Sequence, residues 1–135
     1  MDMSEGNQQG GETILIVDDE QVLLDLIEAI LSRNGYKVLI AKDGLQAIEQ
    51  YKTHQNEIVL IFSDVGMPNL NGYDMFMRLK EINPSIRVII GSGYIDDNQK
   101  DELLKSGVKR FIPKPYNPPE MLKTIREVLD STAHE

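Results

Sequence analysis

The chain has 135 residues, 41% of them hydrophobic and 27% charged, with 22 acidic against 14 basic side chains and a formal net charge of -8. That length suits one domain with a real core and is too short for two, and the balance is that of a soluble globular protein rather than a disordered one. The acidic excess opposes general attraction to nucleic acid or anionic lipid, the apolar runs fall far short of the ~18 residues of a membrane span, and the absence of cysteine excludes a disulfide framework.

Residues 1–11, MDMSEGNQQGG, carry no apolar stretch of the secretory-signal kind and read as a flexible leader or linker. A cytoplasmic location is the expectation, with proteins or cations as partners and no membrane contact by the domain itself. From Thr13 onward, short β-branched runs alternate five times with stretches of helical period. Strands are expected at residues 13–17, 37–41, 58–63, 87–91 and 109–112, most of them apolar enough to be covered on both faces. The first helix should place Leu23, Leu26, Ile27, Ile30 and Leu31 on one face and stop at Asn34 and Gly35. Asp43 is expected to cap the second helix and Asn71 the third, and Gly107 to end the fourth. Asn117-Pro118-Pro119-Glu120 opens the fifth as a capping box with proline at the first helical position. That helix should bury Met121, Leu122, Ile125, Val128 and Leu129. The folded domain is thus expected over 12–130, with a short tail at 131–135 and no output domain within these residues. Met67, Met75 and Met77 read as packing residues; His54 and His134 are too isolated for a metal or catalytic pair and read as surface.

Five βα units with right-handed crossovers give an α/β fold, a doubly wound five-stranded parallel sheet with helices on both faces. In the flavodoxin-like order 2-1-3-4-5, ligands sit beyond the carboxyl ends of the strands, where the order reverses between the first and third. Acidic residues gather at those ends. ILIVDDE runs a buried strand into Asp18, Asp19 and Glu20, and Asp64 follows the third strand. Carboxylates about 4 Å apart repel by roughly 4 kcal/mol per pair at an effective dielectric near 20, a large share of a folding stability of about 5 to 15 kcal/mol. A raised pKa, a helix N-terminus or a bound cation could offset it. Ser92 and Lys114 fall on the same rim, after the fourth and fifth strands. Alone, each residue has an ordinary reading: a helix cap for Asp18 or Asp19, a turn for Asp64 or Ser92, a solvated charge for Lys114, plain core for Phe111. Their joint placement suits a hard divalent cation beside a phosphoryl group, with Asp64 as the nucleophile and catalysis mainly by positioning and charge neutralisation.

In these residues the chain resembles the response-regulator receiver domains of two-component signalling. The likeness covers Thr13 to about Asp130 and rests on Asp18-Asp19, the segment DVGMPNLNG from Asp64, Ser92-Gly93 and Lys114-Pro115. It implies that Asp64 accepts phosphate from the phosphohistidine of a sensor histidine kinase or phosphotransfer protein. It further implies Mg2+ bound by Asp19, Asp64 and the Gly66 carbonyl, with Asp18 acting through a metal-bound water. Lys114 would contact a phosphoryl oxygen and the Ser92 hydroxyl would move to bond another. Phe111 matches the switch aromatic, whose inward turn reshapes the surface of the fourth helix, fifth strand and fifth helix for a downstream protein. A cis bond before Pro115 is also implied. At two positions that vary among receivers, Gly66 offers no side chain and Tyr94 an aromatic rather than an acid or amide, so neither is well suited to orient an attacking water, which predicts a fairly long-lived phospho-Asp64.

Beyond its own phosphorylation and dephosphorylation, no enzymatic activity is expected. A haloacid-dehalogenase-like aspartyl-phosphate phosphatase would carry a second aspartate where Gly66 stands, and a flavin binder would have its phosphate repelled by the acids. A receiver that binds proteins without taking phosphate would not need the intact acceptor, acids and lysine. The approach GGETILIVDDE behind a leader resembles the receiver on the C-terminal side of hybrid sensor kinases, with a stand-alone receiver as the alternative.

Overall fold

The computed structural model describes residues 11–67, 69–93 and 95–131. Tyr94, His134, residues 1–10 of the leader and residues 132–135 of the tail lie outside them. Ten elements alternate: β1 (Thr13–Val17), α1 (Gln21–Arg33), β2 (Lys37–Ala41), α2 (Gly44–Thr53), β3 (Ile58–Asp64), α3 (Gly72–Ile82), β4 (Val88–Ser92), α4 (Asp97–Ser106), β5 (Arg110–Pro113) and α5 (Pro118–Asp130). The strands form one parallel sheet in the order β2-β1-β3-β4-β5, as the alternation predicts.

Strand side chains alternate between faces, and the core divides accordingly. Ile14, Ile16, Leu60, Phe62, Ile89 and Ile112 face the layer of α1 and α5, where Leu24, Ile27, Leu31, Met121, Ile125 and Val128 meet them. Leu15, Val17, Ile61, Val88 and Ile90 face α2, α3 and α4 through Ala47, Ile48, Tyr51, Met75, Phe76, Leu79 and Leu103. Burying each large aliphatic side chain contributes about 1.5 to 3 kcal/mol, so the central strands β1, β3 and β4 are rigid supports for whatever stands at their ends.

The expected caps form. Asp43 Oδ1 accepts the Gln46 N–H at 2.8 Å, Asn71 Oδ1 that of Asp74 at 2.8 Å and Asn117 Oδ1 that of Glu120 at 3.0 Å. Gly107 ends α4 with φ 118, in the left-handed region that glycine enters without a Cβ clash. Several expectations need correction. On α1 the inward face includes Leu24, fully buried, while Leu26 is 45% exposed. Six large aliphatic residues from 23 to 31 leave the phase of that helix open to periodicity alone, and contact with β1 and β2 decides it. On α5, Leu122 and Leu129 are half-buried flanks of the core. Met77 points largely outward, at 36% exposure, whereas Met75 is fully buried and Met67 packs at the core's edge. His54 is the half-exposed C-cap of α2, 4.0 Å from the Glu57 carboxylate.

Candidate functional site

The three central and edge strands β1, β3 and β5 deliver the charged residues to one rim. Asp18 is the residue after β1, and its backbone N–H still donates to the Ala41 carbonyl of β2 at 3.1 Å. It is only 2% exposed. Its Oδ1 accepts the Glu20 N–H at 2.9 Å, at the start of α1; Glu20 is the N-cap and makes no side-chain cap bond. Its Oδ2 is buried and has no hydrogen-bond partner, with the Lys114 ammonium at 3.6 Å. Burial raises the Asp18 pKa, against the opposing pull of the Glu20 N–H and of Lys114.

Asp64 was expected in the loop after its strand; it is instead the last residue of β3, paired with Gly91 of β4. Sheet pairing at this point fixes the backbone from which the carboxylate extends. Lys114 follows β5 directly and places Nζ 2.9 Å from Asp64 Oδ1. Burial alone would lower the lysine pKa, but the hydrogen bond and charge of Asp64, with Asp18 behind it, carry it above its ordinary value. The lysine is therefore a fixed cation. Asp19 is exposed on the outer side. Carboxylate oxygens of Asp18, Asp19 and Asp64 lie within 4.8 Å of one another. Three carboxylates against one ammonium leave two formal negative charges.

That donor set fits magnesium. Magnesium is a hard cation that takes oxygen ligands, usually one or two carboxylates, and keeps several waters. Three carboxylates gathered this closely would supply those ligands without all binding it directly. The orphaned Asp18 oxygen is the kind of buried acceptor that a metal-bound water would satisfy. Gly66 sits two residues beyond Asp64 on the exposed rim; a Cβ there would meet nothing within 4 Å. A cleft of about 500 Å3 bounded by Val65, Gly66, Asn71, Tyr73, Gln99 and Leu103 opens beside it.

Ser92 was likewise expected after its strand and is the last residue of β4, 8% exposed and in register with Pro113. Its carbonyl accepts the Lys114 N–H at 3.0 Å, which ties the serine and lysine strands together at the rim. The Lys114–Pro115 bond is cis. Phe111 is half-buried on β5, with Lys100 Nζ 5.6 Å from its ring centroid. Ser92, Gly93, Ile95, Lys100, Phe111 and Pro113 bound a cavity of about 290 Å3 that connects serine and ring.

The family model for the response regulator receiver domain matches residues 14–126. The chain belongs to that family. It is 32% identical to the chemotaxis protein CheY of Thermotoga maritima over 87% of this chain and 98% of the relative. It is 33% identical to the sensor kinase CckA of Brucella abortus, over 90% of this chain but only 13% of the kinase. Among solved structures, the CheX-CheY-BeF3-Mg2+ complex from Borrelia burgdorferi superposes with a TM-score of 0.85 at 27% identity, covering 89% of this chain and 90% of that one. Relatives therefore include both a free-standing CheY and a long sensor kinase.

Two features of this receiver domain escaped sequence reasoning. Tyr116, two residues after Lys114, lays its ring 6.0 Å beneath the lysine Nζ and 5.3 Å from Phe62. Its hydroxyl occupies the space where a Cβ on Gly91 would stand. Burial first, and then Asp18, Asp64 and Glu20, push the phenol pKa well up, so it stays neutral. The glycine inside VIIGS was the available signal, since a strand glycine often marks a close approach. The second feature, a hydrogen bond from Asn69 to Asp43 at 2.7 Å, joins residues 26 apart and left no local trace.

Proposed function

We propose that this receiver domain accepts a phosphoryl group on Asp64 from the phosphohistidine of a sensor histidine kinase or phosphotransfer protein. The cation would be Mg2+, held by Asp19, Asp64 and the Gly66 carbonyl, with Asp18 reaching it through a water. An Asp64 oxygen forms the bond to phosphorus as the P–N bond breaks, and that electron pair leaves on the imidazole. When bound, the ion supplies positive charge to the phosphoryl oxygens. Lys114 supplies the protein's own, moving from the carboxylate to a phosphoryl oxygen. Ser92, on the strand end opposite, follows to bond another, and Phe111 turns into the adjoining space, presenting a changed surface on α4, β5 and α5 to a downstream protein.

The observation that carries this reading is the convergence of three carboxylates within 4.8 Å around one lysine 2.9 Å from Asp64. A domain that only bound proteins would gain nothing from such mutual repulsion. Incubation with acetyl phosphate and magnesium, read by intact mass, should add a single phosphoryl group. EDTA or Asp64→Asn should abolish it. Undiminished labelling of Asp64→Asn would refute the assignment of the acceptor, and turnover of many phosphate esters would favour a phosphatase.

A further inference from the structure

Asp43 uses both of its carboxylate oxygens. Oδ1 caps α2 through the Gln46 N–H at 2.8 Å, and Oδ2 accepts Asn69 Nδ2 at 2.7 Å. The residue is buried, and its charge strengthens both bonds. Asn69 belongs to the loop 65–71 that joins Asp64 to α3 and contains Gly66. Its φ of 68 lies in the left-handed region, which asparagine tolerates better than most residues.

The same loop is pressed onto α2 at the next residue. A Cβ on Gly44, beside Asp43, would overlap the Leu70 carbonyl, so only glycine permits the approach. At the far end the Gly72 N–H donates to the Val65 carbonyl at 2.8 Å. Gly72 itself sits against the Asp64 carbonyl, which an added Cβ would meet at 2.8 Å. The segment carrying Gly66 is thus fastened to the helix layer by one long-range side-chain bond and closed on itself by a backbone bond.

We propose that Asn69, held by Asp43, is a positioning residue for the cation site: the latch sets where the Gly66 carbonyl stands relative to the Asp64 and Asp19 carboxylates. This rests on the reading that those groups bind the metal. A carboxylate can swing on its side chain to meet an ion, whereas a backbone carbonyl goes only where the loop carries it. Magnesium demands near-ideal octahedral geometry, so loss of the latch costs affinity even with every ligand present.

Mn2+ binding, followed by loss of the free-ion signal in electron paramagnetic resonance, tests this alongside the urea unfolding midpoint in EDTA. Asn69→Gly keeps the left-handed backbone and deletes the amide. Asp43→Ser keeps a helix-capping oxygen but cannot reach Asn69. Each should weaken Mn2+ about tenfold, the scale of outer-shell losses at metal sites, with midpoints little changed. The double variant should be no weaker than either alone. Asp43→Asn restores a neutral latch, because the Asn69 amide can turn to accept, and should bind nearly as the wild type does. Wild-type affinity in Asn69→Gly and Asp43→Ser, or losses that add in the double variant, would overturn the latch while leaving the cation site standing. Unchanged binding in Asp64→Asn would instead overturn the cation site, and the latch with it.

Discussion

Asp19→Asn separates the cost of the acidic cluster from its use. Asp19 makes no ion pair with Lys114, which contacts Asp64 and Asp18, so its removal deletes repulsion without losing an attraction. Its oxygen lies within 4.8 Å of those of Asp18 and Asp64, a separation worth about 3.5 kcal/mol per pair at an effective dielectric near 20. Asp19 is exposed, and screening reduces each pair to roughly 0.2 to 1 kcal/mol. The variant should therefore be more stable than the wild type in EDTA by roughly 0.4 to 2 kcal/mol over the two pairs, again on the exposed-pair scale. For a urea slope near 2 kcal/mol/M, that is a midpoint shift of about 0.2 to 1 M. In magnesium at ten times its Kd, the wild type should gain about 1.4 kcal/mol by mass action, and Asp19→Asn much less. Urea unfolding followed by circular dichroism, with and without magnesium, measures both. A variant less stable in EDTA and stabilised by magnesium as much as the wild type would refute the claim that the acids are frustrated until a cation arrives.

Three other outcomes are expected. Gly91→Ala drives a methyl group into the Tyr116 hydroxyl and should destabilise by about 1 to 3 kcal/mol; adding Tyr116→Phe should recover part of the loss, and no recovery would show the clash lies elsewhere. The Gln46 N–H and then the Asn69 amide hold the Asp43 carboxyl below its ordinary 3.8. A lowered folded pKa gives stability that is present above the unfolded value and lost as pH falls through the folded one. Asp43→Asn should therefore flatten the acid limb of stability below about pH 4, and an unchanged limb contradicts the assignment. Gly66→Asn with Tyr94→Glu should speed phosphate release from phospho-Asp64, since a side chain at Gly66 has open space to enter; an unchanged hydrolysis rate would sink the idea of a long-lived phosphoryl group.

What the sequence made legible was periodicity and its consequences. Five apolar runs alternating with five amphipathic ones leave few topologies, and the chosen one brings Asp18, Asp64 and Lys114 to one rim. The runs misjudge where strands stop. Asp64 and Ser92 look like loop residues because they are polar, yet pairing with Gly91 and Pro113 continues each strand by one residue. Arg87 and Lys109, expected as first strand residues, fall just outside β4 and β5. In both cases a neighbouring strand, not local composition, sets the end. The rotation of α1 failed for a related reason: Leu24 and Leu26 are equally apolar, and only the sheet beneath selects between them. Tyr116 and the Asp43–Asn69 bond depend on contacts across the fold, which no window of sequence contains.

Crystals soaked in magnesium chloride test the central claim most directly. The predicted density is a single ion bonded to Asp19, Asp64 and the Gly66 carbonyl, with a bound water reaching the buried oxygen of Asp18. Bare carboxylates at saturating magnesium, or an ion seated away from Asp64, would contradict it.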